Sequence, residues 1–222
     1  MSLGNYSGPV LMEMTGGTYT DEATSATMTM GSGDTLTSVV PTVAAGSNTS
    51  GIVVTPLTSM AQARAQAMQG GMTDANISSA NAAVGGYFMV SDILHTMPMD
   101  PLAQGSGAAA TLDAKNYGMT IAGMSQYAHT LGMTSSSGIV TAMMDDASDG
   151  VMNGMQGQTP ISMSGMGGMM GGGMMMQWDA GTTGLTAAIT QFMTSAMNRS
   201  GVTTTDMQPL ITKLDTSNGT IQ

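Results

Sequence analysis

At three junctions of this chain of 222 residues a glycine is followed by an apolar residue and then a threonine: Gly70-Gly71-Met72-Thr73, Gly132-Met133-Thr134 and Gly201-Val202-Thr203. Glycine can enter the left-handed conformation that closes a helix, the apolar residue can fold back on the last turn, and threonine can accept from the free amides that open the next helix. Connections this short force consecutive helices to run antiparallel. The spacing therefore predicts three helical hairpins: 56–69 with 74–89, 108–131 with 135–149, and 183–199 with 204–215. The first opens at Thr55-Pro56, where proline takes the helical position whose N–H would have no partner anyway. The residues around the junctions do not align with one another, which makes the recurrence a shared capping solution rather than a duplication.

The helical faces agree with this reading. Ala110, Ala114, Tyr117, Ile121, Met124, Ala128 and Leu131 recur at alternating spacings of four and three and form one apolar stripe. Leu185, Ile189, Phe192 and Ala196 do the same, as do Val140, Met143, Ala147 and Val151. Two stretches break the pattern: His95 to Gly107, with Pro98 and Pro101, reads as a cross-connection, and Asn153 to Thr182 as a long Gly/Met loop in which only Pro160–Met163 resembles a strand.

Before Thr55 the period is two. Val10, Met12 and Met14 alternate with their neighbours, as do Thr27 to Met30, and Leu36–Val40 and Ile52–Val54 are short aliphatic runs. Gly16-Gly17 and the Gly31–Asp34 stretch read as turns. The expected class is α+β: a small antiparallel sheet in residues 1–55, open to being the truncated end of a larger one, followed over 56–222 by a six-helix, mostly antiparallel bundle. Four such strands need their inner face covered, by the helices that follow or by a partner.

Charge narrows the partners. The four basic residues, Arg64, Lys115, Arg199 and Lys213, face fourteen carboxylates, for a net charge of -10. Such a surface repels phosphate backbones and anionic membranes, which argues against nucleic acid. Only 8% of residues are charged, and Ser, Thr, Asn and Gly supply most of the polarity, a composition more typical of extracytoplasmic proteins. The absence of cysteine removes disulfides, thiol nucleophiles and thiolate metal sites. Met1-Ser2-Leu3 reads as a cloning leader, with the native amino terminus and any signal peptide or lipid anchor upstream.

Two segments suggest metal chemistry. Asp145, Asp146 and Asp149, followed by Gly150 and Asn153, offer hard oxygen ligands in a bent segment, as calcium requires, although the spacing is not that of an EF-hand. Met169, Met170, Met174, Met175 and Met176 lie in the densest part of a chain with 28 methionines, and clustered thioethers suit Cu(I). Methionine also stands where leucine usually would in the strands and helices, so the competing reading of the cluster is an adaptable apolar loop. Asp21-Glu22 reads as a turn. His95 and His129 have no ligand or catalytic partner at helical spacing, no Gly-x-Ser-x-Gly elbow is present, and the glycine-rich segments lack a Walker lysine. These patterns point to a protein without enzymatic activity and without an obligatory cofactor, calcium being the metal to test first.

Residues 6–13 (Tyr-Ser-Gly-Pro-Val-Leu-Met-Glu), 16–24 and Val54-Thr55-Pro56-Leu57-Thr58 resemble the junction in bacterial secreted proteins and lipoproteins where a carboxypeptidase-regulatory-like or Ig-like β module ends and a helical module begins. The helical remainder is similar to uncharacterised surface lipoproteins. The resemblance implies an extracytoplasmic location in the periplasm, at the outer membrane or secreted, an interaction or structural role toward an unidentified protein or surface partner, and membrane association only through a lipid anchor. It implies no site residues.

Overall fold

A computed structural model describes residues 3–31, 33–163 and 174–222. The protein is of mixed α+β class, with six α-helices and small antiparallel sheets among the described residues. Strands β1 (Gly8–Thr15) and β4 (Thr35–Val43) pair antiparallel, with Val10 opposite Val40 and Met14 opposite Leu36. Between them β2 (Thr18–Thr20) and β3 (Thr27–Thr29) form a separate hairpin with Tyr19 opposite Met28. The expected strand at Ile52–Val54 does not form; the amide of Val53 instead bonds the carbonyl of Leu94 at 2.9 Å, and the run lies as coil. Thr18–Thr20, whose single apolar residue gave no alternation to read, is the strand in its place.

The helices are α1 (Pro56–Ala67), α2 (Asp74–Tyr87), α3 (Leu112–Thr130), α4 (Ser137–Ser148), α5 (Thr183–Thr194) and α6 (Thr204–Thr216). Thr55, Thr73 and Thr203 cap α1, α2 and α6 by accepting from the amide three residues on, and Thr55 and Thr203 do so in reciprocal capping boxes. Gly71 and Gly132 sit at φ +66° and +69°, in the left-handed conformation expected of them. The third junction differs. Helix α5 stops at Thr194, well short of Gly201, and Arg199 and Ser200 run beside the 101–107 segment, the Arg199 amide bonding the Pro101 carbonyl at 2.9 Å and the Gly107 amide the Ser200 carbonyl at 3.0 Å. Helix α4 starts later than expected, at Ser137, after a Ser136 that makes no side-chain cap bond.

Packing departs from the sequential order. The two helices of each expected hairpin do touch, α1 with α2, α3 with α4 and α5 with α6, but α4 lies mainly against α1 and α3 mainly against α5. Helix α3 is buried on nearly every side from Asn116 to Ala128, well beyond the stripe read from its sequence. Small residues make this possible: a Cβ at Gly123 would stand 2.4 Å from Ile189 Cγ1, and one at Gly118 2.0 Å from the Met99 carbonyl oxygen. Helices α1 and α2 cover β4. Val39 packs with Ala65, Ile77 and Ala80, while Ser59 Oγ accepts the Thr37 amide at 2.8 Å, Thr58 Oγ1 donates to the Thr37 carbonyl at 2.7 Å and Asn81 Nδ2 to the Val39 carbonyl at 3.2 Å. Side chains of α1 and α2 thus satisfy strand groups that a further strand would otherwise take.

The 153–182 stretch holds four two-residue strands in its described parts: β5 (Met155–Gln156) pairs with β6 (Thr159–Pro160), and β7 (Ser162–Met163) with β8 (Met174–Met175). No helix among the described residues is long and apolar enough to cross a membrane.

Candidate functional site

The β2–β3 hairpin is tied at both ends to helices far away in sequence. At its tip Asp21 shapes the turn, its Oδ1 accepting from the Thr24 amide at 3.1 Å and the Thr24 hydroxyl at 2.9 Å. That turn delivers Glu22 to α3, where the Ser125 hydroxyl donates to its carboxyl. On the other side the Tyr19 hydroxyl lies 2.9 Å from both Ser135 Oγ and Ser136 Oγ, just ahead of α4, and Thr141 on α4 donates to Asp34 Oδ1 at 3.2 Å.

A bridge held at its two ends leaves a space beneath it. That space is a cleft of about 260 Å³ with walls of Met14, Met30, Leu36, Pro56, Ile121, Met124 and Val140, while Tyr19, Glu22, Asp34 and the serines at 125, 136 and 137 provide the polar positions. A second, wider cavity of about 610 Å³ lies alongside, between Ile52–Thr55, the Met97–Leu102 segment and Gly118. Thr20, Glu22 and Ile121 line both, so the Glu22 side chain stands in the wall between them. Burial pushes the Glu22 carboxyl above the usual carboxylate range; the Ser125 hydroxyl and a backbone amide work against that rise, and the charges of Asp21 and Asp100 add to it. Among the described residues no Lys, Arg or His lines either cavity. An apolar concavity with a few convergent polar groups and a perturbed carboxyl is the arrangement expected of a small-molecule site.

The residues singled out for calcium lie elsewhere, at the end of α4. Asp145 is exposed. Asp146 is fully buried, and its Oδ1 accepts the amides of Asn153, Gly154 and Met155 at 2.9, 2.8 and 3.2 Å. Its Oδ2 has no partner. Burial raises the Asp146 carboxyl to about 7, against the pull of those three amide bonds and with a further push from Asp149. Asp149 accepts from the amides of Val151 at 2.9 Å and Gly157 at 2.7 Å, and Asn153 Oδ1 from that of Met155 at 3.1 Å. In these positions the side chains fasten the chain after α4 to the end of the helix. Among the described residues no three His, Asp or Glu side chains gather at metal-binding spacing.

Of the methionines proposed for copper, Met169 and Met170 lie outside the described residues. Met174 is half-buried, Met175 exposed and Met176 buried in the main core, so the side chains of β8 and its neighbour face different surroundings. His95 Nδ1 pairs with Asp92 Oδ2 at 2.8 Å on the surface, and His129 is exposed near the end of α3. Neither lines the cleft.

Sequence reasoning did not find the cleft. Its polar pairs bring together residues more than a hundred positions apart, Tyr19 with Ser135 and Glu22 with Ser125, and no local spacing marks them. The one available signal was Glu22, one of two glutamates in a chain whose other carboxylates are all Asp. No protein-family model, curated protein sequence or solved structure matches the chain, so the site is read from its own geometry.

Proposed function

We propose that the protein is a non-enzymatic, extracytoplasmic binding module of the surface- or periplasmic-lipoprotein kind, and that it holds a small, largely apolar ligand in the cleft under the β2–β3 hairpin. The observation that carries this reading is the cleft: methionine and aliphatic walls around about 260 Å³, with its polar groups tied to one another across the hairpin and helices. Met14, Met30 and Met124 suit such a role because an unbranched thioether can repack around ligands of different shape. The small charged fraction, with Ser, Thr, Asn and Gly supplying most of the polarity, supports an extracytoplasmic setting, and the net charge of -10 disfavours nucleic acid as a partner. In the same reading β1 to β4 are the closing part of an Ig-like module, and the helices a bundle of three sequential hairpins whose members also pack across pairs.

Titration with the neutral fluorophore Nile red tests the binding. Saturable uptake of one equivalent is expected, with affinity falling at least about tenfold when Val140→Trp or Met30→Trp fills the space. Uptake that both variants leave unchanged places the dye elsewhere and refutes the reading.

A calcium-binding module at Asp145, Asp146, Asp149 and Asn153 is the alternative, supported by the orphaned Oδ2 of Asp146. Thermal melts with EDTA and with millimolar calcium separate the two. The amide bonds already made by Asp146 and Asp149 predict a shift under about 1 °C, whereas a site filled at a hundred times its Kd would add about 2.7 kcal/mol and several degrees.

A further inference from the structure

We propose that the cleft selects a protonated amine on a short apolar chain, the ammonium meeting the Glu22 carboxyl and the chain lying along Met30, Ile121, Met124 and Val140. The inference rests on the ligand-binding reading above and adds to it the charge and class of the ligand.

Three observations carry it. Glu22 stands where the two cavities adjoin, so a group beside it is reached from either side. Its carboxyl accepts from the Ser125 hydroxyl, and two carboxylate oxygens offer about four acceptor positions, which leaves capacity for a further donor. The surrounding charge has one sign: Asp34 lines the first cavity, Asp100 the second, and Asp21 adjoins Glu22 in the turn, while no basic side chain among the described residues lines either space. An anionic headgroup entering here would give up hydration against a negative field with no cation to receive it. An ammonium meets the opposite situation, gaining a charge-assisted bond at Glu22, and the net charge of -10 draws it toward the protein from a distance. The apolar walls require the rest of the ligand to be hydrocarbon.

The test is calorimetric titration of the full chain with octylamine, octanol and octanoate at about pH 8, where an alkylamine, like lysine, is protonated. Octylamine is expected to bind roughly tenfold more tightly than octanol, with octanoate weakest. In Glu22→Gln, which keeps an acceptor for Ser125, the advantage of the amine over the alcohol should disappear. Ser125→Ala serves as a second variant that leaves the Glu22 carboxyl in place and should preserve the amine preference. Equal binding of amine and alcohol by the native protein, a preference for octanoate, or an amine preference that survives Glu22→Gln overturns the proposal. If octanol binds and Val140→Trp abolishes that binding, the cleft reading stands even where the amine preference fails; if none of the three binds, both fail.

Discussion

Replacing Asp146 by Asn isolates the energetic consequence of one buried carboxyl. Its ordinary value of 3.8 rises to about 7 in the folded protein, a difference of roughly three units, or about 4 kcal/mol at 1.36 kcal/mol per unit. Because the folded state holds the proton more tightly than the unfolded chain, this stability is complete below about pH 4. It is lost as pH rises toward 7, since folding must then either keep a proton that the unfolded chain has released or bury a charge. Asparagine retains the oxygen that receives the amides of Asn153, Gly154 and Met155, and puts an NH₂ where the protonated acid has a hydroxyl that also lacks a partner. At low pH the two proteins should therefore be nearly equal in stability. By about pH 8 the variant should be the more stable, by up to about 4 kcal/mol. Urea unfolding of both proteins at several pH values between about 4 and 8 measures this directly, and the difference between them cancels contributions from Glu22 and other carboxyls. A difference that stays constant across that range would refute the argument that burial keeps Asp146 protonated.

Two further substitutions probe how the cleft's helical walls are seated. Gly118→Ala would put a Cβ 2.0 Å from the Met99 carbonyl, a backbone atom with little room to retreat; despite alanine's better helix propensity, urea unfolding should show a loss of about 1–3 kcal/mol, and a neutral result would mean that the 97–102 segment does not lie against α3. Thr55→Ala removes the capping box of α1 and the hydroxyl that bonds Tyr117. It should cost about 2–3 kcal/mol, and since Tyr117 keeps its bond to the Ile93 carbonyl, Tyr117→Phe added to Thr55→Ala should cost less than Tyr117→Phe alone.

Most of what the sequence determined is local. A threonine three residues ahead of a free amide, a glycine at positive φ and a period of 3.6 or two are relations within a few positions, so the caps at Thr55, Thr73 and Thr203, the left-handed Gly71 and Gly132, the position of α1 and α2, and strands β1, β3 and β4 could be read directly. The failures are equally physical. Gly201 reads as a helix stop, but α5 ends at Thr194 and the chain after it makes backbone bonds with the 101–107 segment. Ile52–Val54 is apolar enough for a strand, yet Val53 bonds Leu94 and the run lines a cavity. At Asp146 and Asp149 the sequence shows carboxylates, and only the fold shows the amides that turn back onto them.

Only the tertiary structure decided which helices lie together and what lies between them. The packing of α3 on α5 depends on Gly123 facing Ile189, an absence of side chain that no hydrophobic pattern registers. The cleft exists because a hairpin near the amino terminus is hydrogen-bonded to α3 and to the residues just ahead of α4, more than a hundred positions later, and those bonds require the fold to bring Ser125 and Ser135 within reach. Glu22 shows the division: its position in a turn follows from the neighbouring Asp21 and Thr24, whereas its burial, the raised affinity for a proton that burial brings, and its place beside an apolar cavity come from the tertiary fold around it.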